Sequence, residues 1–294
     1  MRTYPFVTLD VFTDRRFGGN QLAVFPDARG LSDGEMQSLA TEFNLSETTF
    51  VLPPEDPANT ARVRIFNRTA EMPFAGHPNV GTAHVLADRA RDGLLRFEQL
   101  AGLVEIRVER DPAGAVLSTT VAAPQPLRIG EALPLRPIAA CASIAPEGII
   151  TTRHAPTIAS DGGNPRVLLE VTPEALAAAA PDHAAFRRMV ETLPALGGRL
   201  TLYLYRWDGE RLRARMFSPL AGTPEDAATG SAATLLTGFL LSLSGAEHHA
   251  IDIIQGAEMG RPSLLRTTAR RTPAGIRATV GGGCVPVLRG EAQL

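Results

Sequence analysis

Hydrophobic and polar positions in the first half of the chain fall into short runs separated by turns. Residues 6–12 (FVTLDVF) alternate loosely and residues 21–25 (QLAVF) follow a GGN turn, so both are predicted strands. Residues 31–43 carry the helical period instead: Met36, Leu39, Ala40 and Phe43 form one apolar stripe, and Ser32 stands where an N-cap belongs. Two further strands are predicted over Glu47–Leu52 (ETTFVL) and Ala61–Phe66 (ARVRIF). The second alternates strictly, with Val63 and Ile65 on one face and Arg62 and Arg64 on the other. A largely apolar stretch with several alanines predicts a helix at 80–90, and strands are expected at 95–100, 104–108 and 116–121.

Residues 123–137 (APQPLRIGEALPLRP) carry several prolines, the composition of a linker. Beyond them the pattern predicts strands at Arg166–Val171, 200–206 and 212–217 and helices at 184–193 and 230–243. Closing strands follow at 250–254, 264–269, 275–280 and 285–289. The two strongest helices both open at a glycine, Gly76 followed by His77 and Gly230 followed by Ser231, about half the chain apart. Each follows an arginine-bearing strand (RVRIF, RARMF) and a loop containing an acidic residue. That order predicts two similar mixed α/β domains, each with a central helix that starts at a glycine.

The bulk numbers narrow the partners. The chain has 294 residues, 44% hydrophobic and 20% charged, with a formal net charge of −2, as for an ordinary globular protein. No basic run interleaved with aromatics suggests nucleic acid, and the arginine cluster at 266–271 reads as a solvated strand or turn. The N-terminal segment lacks the apolar stretch of a signal peptide and no apolar run is long enough for a bilayer, so the expectation is a cytoplasmic protein with no membrane partner. Cys141 and Cys284 lie far apart, outside any CxxC pattern, and are expected to be reduced structural thiols.

Candidate chemistry gathers at the two helix starts. A helix N-terminus presents free N–H groups and a partial positive charge, and glycine lets an anion approach closely. Two such helices facing each other across a domain interface would cradle a small carboxylate. His77 would feel the dipole, which disfavours its protonated form, so it is either a neutral ligand-facing imidazole or a simple cap. His84 is assigned to core or surface; His154, His183, His248 and His249 form no ligand spacing, so no metal is expected. Glu47, opening the apolar ETTFVL run, is either strand-edge solvation or a carboxylate held partly desolvated for proton transfer. Ser46 could bond that carboxylate or a ligand. Glu225 and Asp226, ahead of the second helix, can be ordinary acids near a helix dipole.

The segments DVFTDRRFGGNQLAVF, NLSETTFVL, EMPFAGHPNVGTA, EDAATGSA and QGAEMGRPS together resemble the PhzF family of phenazine-biosynthesis-like isomerases, from Asp10 to Ser263. The resemblance implies an α+β chain of the diaminopimelate-epimerase-like fold: two similar domains, each a sheet wrapped around a central helix, with the active site in the interdomain cleft. It implies domains of 1–122 plus about 280–294, and 123–279. It also implies a cofactor-independent isomerase that moves a proton within a dihydro-3-hydroxyanthranilate-like carboxylate. In that scheme Glu47 is the proton shuttle, and His77 and Asp226 orient substrate and tune it. Ser46, Gly76, Gly230 and Ser231 then bind substrate. A homodimer is likewise implied.

Related epimerases use a cysteine before each helix glycine; here Ala75 and Thr229 stand there, which argues against two-thiol racemisation. Gln21 and Ala227 replace common prolines, and FNRTAE replaces a common turn, without removing a proposed catalytic group. Two other readings stay open: a catalytically silent small-carboxylate-binding protein, and a cofactor-independent racemase or epimerase.

Overall fold

A computed structural model describes residues 1–162, 165–193 and 198–294. The elements run β1 (Thr3–Val11), β2 (Asn20–Phe25), α1 (Asp33–Phe43), β3 (Glu47–Leu52), β4 (Ala61–Phe66), β5 (Glu71–Met72), α2 (Gly76–Val85), β6 (Leu94–Gln99), β7 (Gly102–Arg110) and β8 (Val116–Ala122). They continue with β9 (Arg128–Ala132), α3 (Leu135–Cys141), β10 (Ile149–Ile150), β11 (Thr157–Ser160), β12 (Arg166–Val171), α4 (Pro173–Ala178) and α5 (His183–Thr192). Last come β13 (Leu202–Asp208), β14 (Arg211–Ser218), β15 (Thr223–Asp226), α6 (Gly230–Ser242), β16 (His248–Gln255), β17 (Ser263–Thr272), β18 (Gly275–Gly282) and β19 (Cys284–Gln293). The chain divides into two compact units, Met1–Pro124 with Val280–Leu294, and Gln125–Thr279.

In the first unit the ladder runs β19, β1, β2, β3, β4, β6, β7, β8. Two of its steps, β2–β3 and β4–β6, are parallel, and the rest antiparallel. Helix α2 is buried over Gly76 to Ala83, so its polar residues must find partners inside. They do: Thr82 Oγ1 lies 2.8 Å from Thr49 Oγ1 on β3, and Thr119 Oγ1 of β8 donates to Val80 O at 2.7 Å. Gly81 lets the helix lie on β1 and β2, since a Cβ there would stand 2.5 Å from Leu22 and 2.7 Å from Leu9. The amphipathic α1 covers a second cluster, where Met36, Leu39 and Ala40 pack with Phe25, Phe50 and Phe66. Its N-terminus is closed by a capping box between Ser32 and Glu35.

In the second unit the ladder runs β9, β11, β12, β13, β14, β16, β17, again with two parallel steps, β12–β13 and β14–β16. These seven strands repeat the order and sense of the first seven in the first ladder, from β19 to β7. The long apolar α6 is buried from Ala232 to Leu241. Helices α3, α4 and α5 cover a core built on Val167, Leu169, Leu202, Leu204 and Phe217.

Residues 123–137 are not a linker. They contain β9, whose backbone pairs with β11, and the start of α3. Its five residues, RIGEA, are all exposed, so this edge strand has no apolar alternation to reveal it. The helix expected at 80–90 ends at Val85, followed by a single 3-10 turn over Ala87–Arg89. The cluster at 266–271 lies within β17, where Arg266 and Arg270 face solvent. Burial pushes the Cys141 and Cys284 thiols up to about 12, so both are held as neutral thiols. Among the described residues no helix is long and apolar enough to cross a membrane.

Candidate active site

The loops before the two helices are not irregular. In the first unit β5 folds back on β4, placing Met72 opposite Ile65 and Glu71 opposite Phe66. In the second, β15 folds back on β14, placing Asp226 opposite Met216 and Glu225 opposite Phe217. Each acid meets the arginine of its neighbouring strand. Arg64 Nε and Nη2 donate to Glu71 at 2.7 and 2.6 Å; Arg215 Nε and Nη2 donate to Glu225 at 2.8 and 2.8 Å. Both guanidinium groups also lie over the phenylalanine two residues on, Phe66 and Phe217. The hydrogen bond to Glu71 raises Arg64 above its ordinary range. Burial opposes the Arg215 charge, but Glu225 outweighs it and that group too is raised. Glu225 is thus committed to a structural brace, and so is its counterpart Glu71.

At the mouth of α2, Ala75 is the N-cap and offers no side-chain cap to the first N–H groups. Asn79 Nδ2 instead donates to the Ala75 carbonyl at 3.0 Å, which fixes the entry of the chain. His77 is buried in the first turn, and its Nε2 lies 3.5 Å from Glu47 Oε2. Its Nδ1 lies 3.5 Å from Asn20 Nδ2, and Asn20 Oδ1 accepts from Ser46 Oγ at 3.3 Å. These distances are at the long limit for hydrogen bonds. Glu47 opens β3, which is flanked by β2 and β4 and is therefore an interior strand. Its side chain is 18% exposed, so the carboxylate is partly buried on an interior strand and not at a solvated strand edge.

At the mouth of α6, Thr229 is the N-cap, but its hydroxyl does not cap the helix; it donates to Asp226 Oδ2 at 2.6 Å. The fully buried Gln255 ties the approach together. Its Nε2 donates to Asp226 O at 2.8 Å, and its Oε1 accepts from Thr229 N at 3.1 Å and from the Tyr203 hydroxyl at 3.0 Å. The QGAEMGRPS turn then closes underneath. Gly256 has φ +75°, and a Cβ there would lie 2.6 Å from Ala227 O. Ser263 Oγ donates to that same carbonyl at 2.9 Å. Ser231, in the first turn, accepts from Arg166 Nη2 at 3.0 Å. Burial and then Asp226 push the Tyr203 phenol up, while Arg166 works the other way, so both charges reach this hydroxyl.

The structure brings Ser46, Glu47, Gly76 and His77 together in the first unit, and Asp226, Gly230 and Ser231 together in the second. Asn20, Arg166, Tyr203 and Gln255 do not stand out in the sequence. For Arg166 a signal exists: a charge opens the largely apolar run RVLLEV, as Glu47 opens ETTFVL. His84 is half-buried at the far end of α2 and lowered by burial and by Arg110. Buried His154 stacks on Tyr205 and meets its hydroxyl at 2.7 Å.

Comparison with known proteins agrees with this architecture. The family model for phenazine biosynthesis-like proteins matches residues 9–290. The chain is 36% identical over 297 residues to trans-2,3-dihydro-3-hydroxyanthranilate isomerase of Pseudomonas chlororaphis, covering 99% of this chain and 100% of that protein. The crystal structure of a PhzF-family phenazine biosynthesis protein from Bacillus anthracis matches the fold with TM-score 0.87 at 22% identity, over 100% of both chains. A hydroxyproline epimerase from Agrobacterium vitis shares the fold more distantly, with TM-score 0.60 at 13% identity over 99% of this chain and 92% of that one. The α+β fold is therefore that of the PhzF proteins and their racemase and epimerase relatives, and the chain belongs to the phenazine-biosynthesis-like PhzF family as an isomerase.

Proposed function

We propose that this isomerase moves a proton within a small enolisable or cyclic carboxylate of the dihydro-3-hydroxyanthranilate kind, with Glu47 as the single acid/base and no cofactor. The observation that carries the reading is the Glu47–His77 pair: a carboxylate 18% exposed, 3.5 Å from a buried imidazole at an uncapped helix start. In the reaction Glu47 takes a proton from one carbon and returns it to another. The electron pair shifts along the conjugated system between them, so the carbon that bears the hydroxyl becomes an enol carbon, and the enol passes to its ketone by losing the O–H proton and gaining one on carbon, with no change in composition. Partial burial serves the first half of this, because desolvation disfavours the charged carboxylate and makes it a stronger base than a solvated one. His77 orients the carboxylate from one side, and Asn20 with Ser46 orients His77 from the other. Asp226 is proposed to orient substrate, with Gly230 and Ser231 holding its carboxylate. Neither residue ahead of the helix glycines, Ala75 or Thr229, is a thiol.

The test is turnover of trans-2,3-dihydro-3-hydroxyanthranilate in deuterium oxide by wild type and Glu47→Gln. The expected result is isomerisation by wild type and a loss of about 1,000-fold in the variant, with binding of 3-hydroxyanthranilate kept within a few-fold. Full turnover by Glu47→Gln would overturn the role of Glu47. Absence of turnover by wild type would overturn this substrate class.

A further inference from the structure

Resting on the isomerase reading above, we infer that Phe17 is a specificity residue, whose ring selects a cyclic substrate by packing against it at the edge of the Glu47–His77 site. Phe17 is 70% exposed and is the only exposed aromatic side chain among the described residues. A single exposed hydrophobe is ordinary; the backbone that holds this one out is not. Phe17 has φ +68°, in the left-handed region that a bulky side chain adopts only at a cost. Phe12, at the other end of the same loop, has φ +65°, but its ring is fully buried, so core packing offsets the strain. The ring of Phe17 gains no such burial. Its conformation is imposed by the backbone instead: Phe17 N donates at 2.7 Å to Asp10 Oδ2, on a residue only 3% exposed. The rest of the loop is tied down too. Phe12 N and Thr13 N donate to Gly283 O at 2.8 and 3.2 Å, Arg15 N donates to Thr13 Oγ1 at 3.3 Å, and Arg16 Nε donates to Pro286 O at 3.2 Å. Strain that the surroundings over-determine is characteristic of functional positions.

The place of the loop says which function. It leaves β1 after Val11 and rejoins the sheet at Asn20, which lies opposite Val11 in the β1–β2 ladder. Asn20 Nδ2 lies 3.5 Å from His77 Nδ1, and Asn20 Oδ1 accepts from Ser46, the residue before Glu47. Phe17 stands three residues ahead of Asn20, so their Cα atoms are at most about 11 Å apart. A phenylalanine side chain and a six-membered substrate ring together span that gap. The polar groups of the site address a proton and a carboxylate, and none of them selects the body of the substrate. A ring would cover Phe17 and gain from stacked or edge contact, whereas an acyclic acid would leave it in water. Because the loop is ordered before the ligand arrives, that contact is not offset by the entropy of ordering it.

The experiment places 4-fluorophenylalanine at position 17 and follows its fluorine resonance during titration with 3-hydroxyanthranilate, a ring acid, and with 3-hydroxybutyrate, an acyclic one. Binding of the ring acid is also measured to wild type, Phe17→Tyr and Phe17→Ala. The resonance is expected to shift with the ring acid, along the same curve as binding, and to stay in place with the acyclic acid. Phe17→Ala should weaken the ring acid about tenfold, the scale of one aromatic contact, and Phe17→Tyr should keep it within about two-fold. With the dihydro substrate the Phe17→Ala loss should fall on KM, with kcat within a few-fold. A resonance that ignores the ring acid, or that moves equally with both acids, overturns the inference and leaves the isomerase reading standing. So does a Phe17→Ala affinity within two-fold of wild type. A resonance that depends on protein concentration without ligand would assign the ring to contact with a second copy and overturn it as well. If Phe17→Ala does not fold, the fluorine titration decides alone. A wild type that neither binds 3-hydroxyanthranilate nor turns over the dihydro acid overturns both.

Discussion

At the mouth of α2 an arginine grips an acid five residues ahead of a helix glycine, and at the mouth of α6 another arginine grips another acid at the same spacing. Beyond that shared frame the two mouths diverge. The position after the glycine is His77 in one and Ser231 in the other. Met72 lies opposite Ile65 where Asp226 lies opposite Met216. Thr48 pairs with Phe66 and Leu202 with Phe217, so Thr201 holds in the second ladder the place that Glu47 holds in the first. Thr201 meets Ser218 Oγ at 3.1 Å and carries no charge. One mouth thus pairs its acid with an imidazole; the other holds its acid, Asp226, on the Thr229 hydroxyl and bonds Ser231 to Arg166. The difference teaches how a duplicated scaffold can divide labour: the braces are kept in both copies, and only the groups inside each brace are changed.

The braces are the part of the comparison whose loss costs most. Arg215 makes two bonds to Glu225 and two more to the Leu176 and Ala179 carbonyls, at 2.9 and 2.7 Å. Arg215→Met leaves a largely buried carboxylate and two carbonyls without donors, and should destabilise the protein by roughly 3–5 kcal/mol. Arg64 instead shares its charge between Glu71 and the exposed Asp33, so Arg64→Met should cost only about 1–2 kcal/mol. Urea unfolding of both variants measures the gap. Equal losses would mean that the two braces are not graded by burial.

The division of labour is broken next by paired kinetics. On the proposed role of His77 beside Glu47, His77→Asn should lower kcat about 100-fold with KM within a few-fold. Ser231→Ala should raise KM about tenfold with kcat within a few-fold, since the hydroxyl binds the ground state and transition state alike. If both substitutions move the same parameter, the two mouths are not specialised as described.

How much of this was legible in the sequence follows from what each signal depends on. The strand limits of β3, β4 and β12 could be read directly, because alternation or an apolar run is written in consecutive residues. The two glycine helix starts were legible for the same reason, and so were the five motifs that carry the family resemblance. The edge strand β9 was not, since exposed residues on both faces leave no period. Nor were β5 and β15: each is short, and each exists because an arginine from another strand captures its acid. Arg166, Asn20 and Gln255 were hidden for a related reason. Their importance lies in which helix start they reach, and that is set by the ladder order and not by their neighbours in the chain.

The helices themselves sharpen the comparison at the smallest scale. Both central helices contain an interior glycine, and intrinsic propensity alone makes alanine better by roughly 1 kcal/mol at either. Packing separates them. At Gly81 a Cβ would stand 2.5 Å from Leu22, 2.7 Å from Leu9 and 2.9 Å from Val11, three buried side chains of β1 and β2. None can retreat without disturbing its own strand, so Gly81→Ala should cost about 1–3 kcal/mol despite the better propensity. At Gly238 the nearest atom to a Cβ is Ile276 Cγ2 at 3.5 Å, with Leu127 at 3.8 Å, ordinary contact distances. Gly238→Ala should therefore be neutral or stabilise by up to about 1 kcal/mol. Thermal melts of the two single variants read the sign directly. Opposite signs would show that α2 is pressed against its strands where α6 is not, which fits a helix whose first turn must hold an imidazole within reach of a carboxylate on β3. A loss at Gly238 as large as at Gly81 would mean that both helices are packed to the same tolerance, and that the contrast between the mouths ends at their first turns.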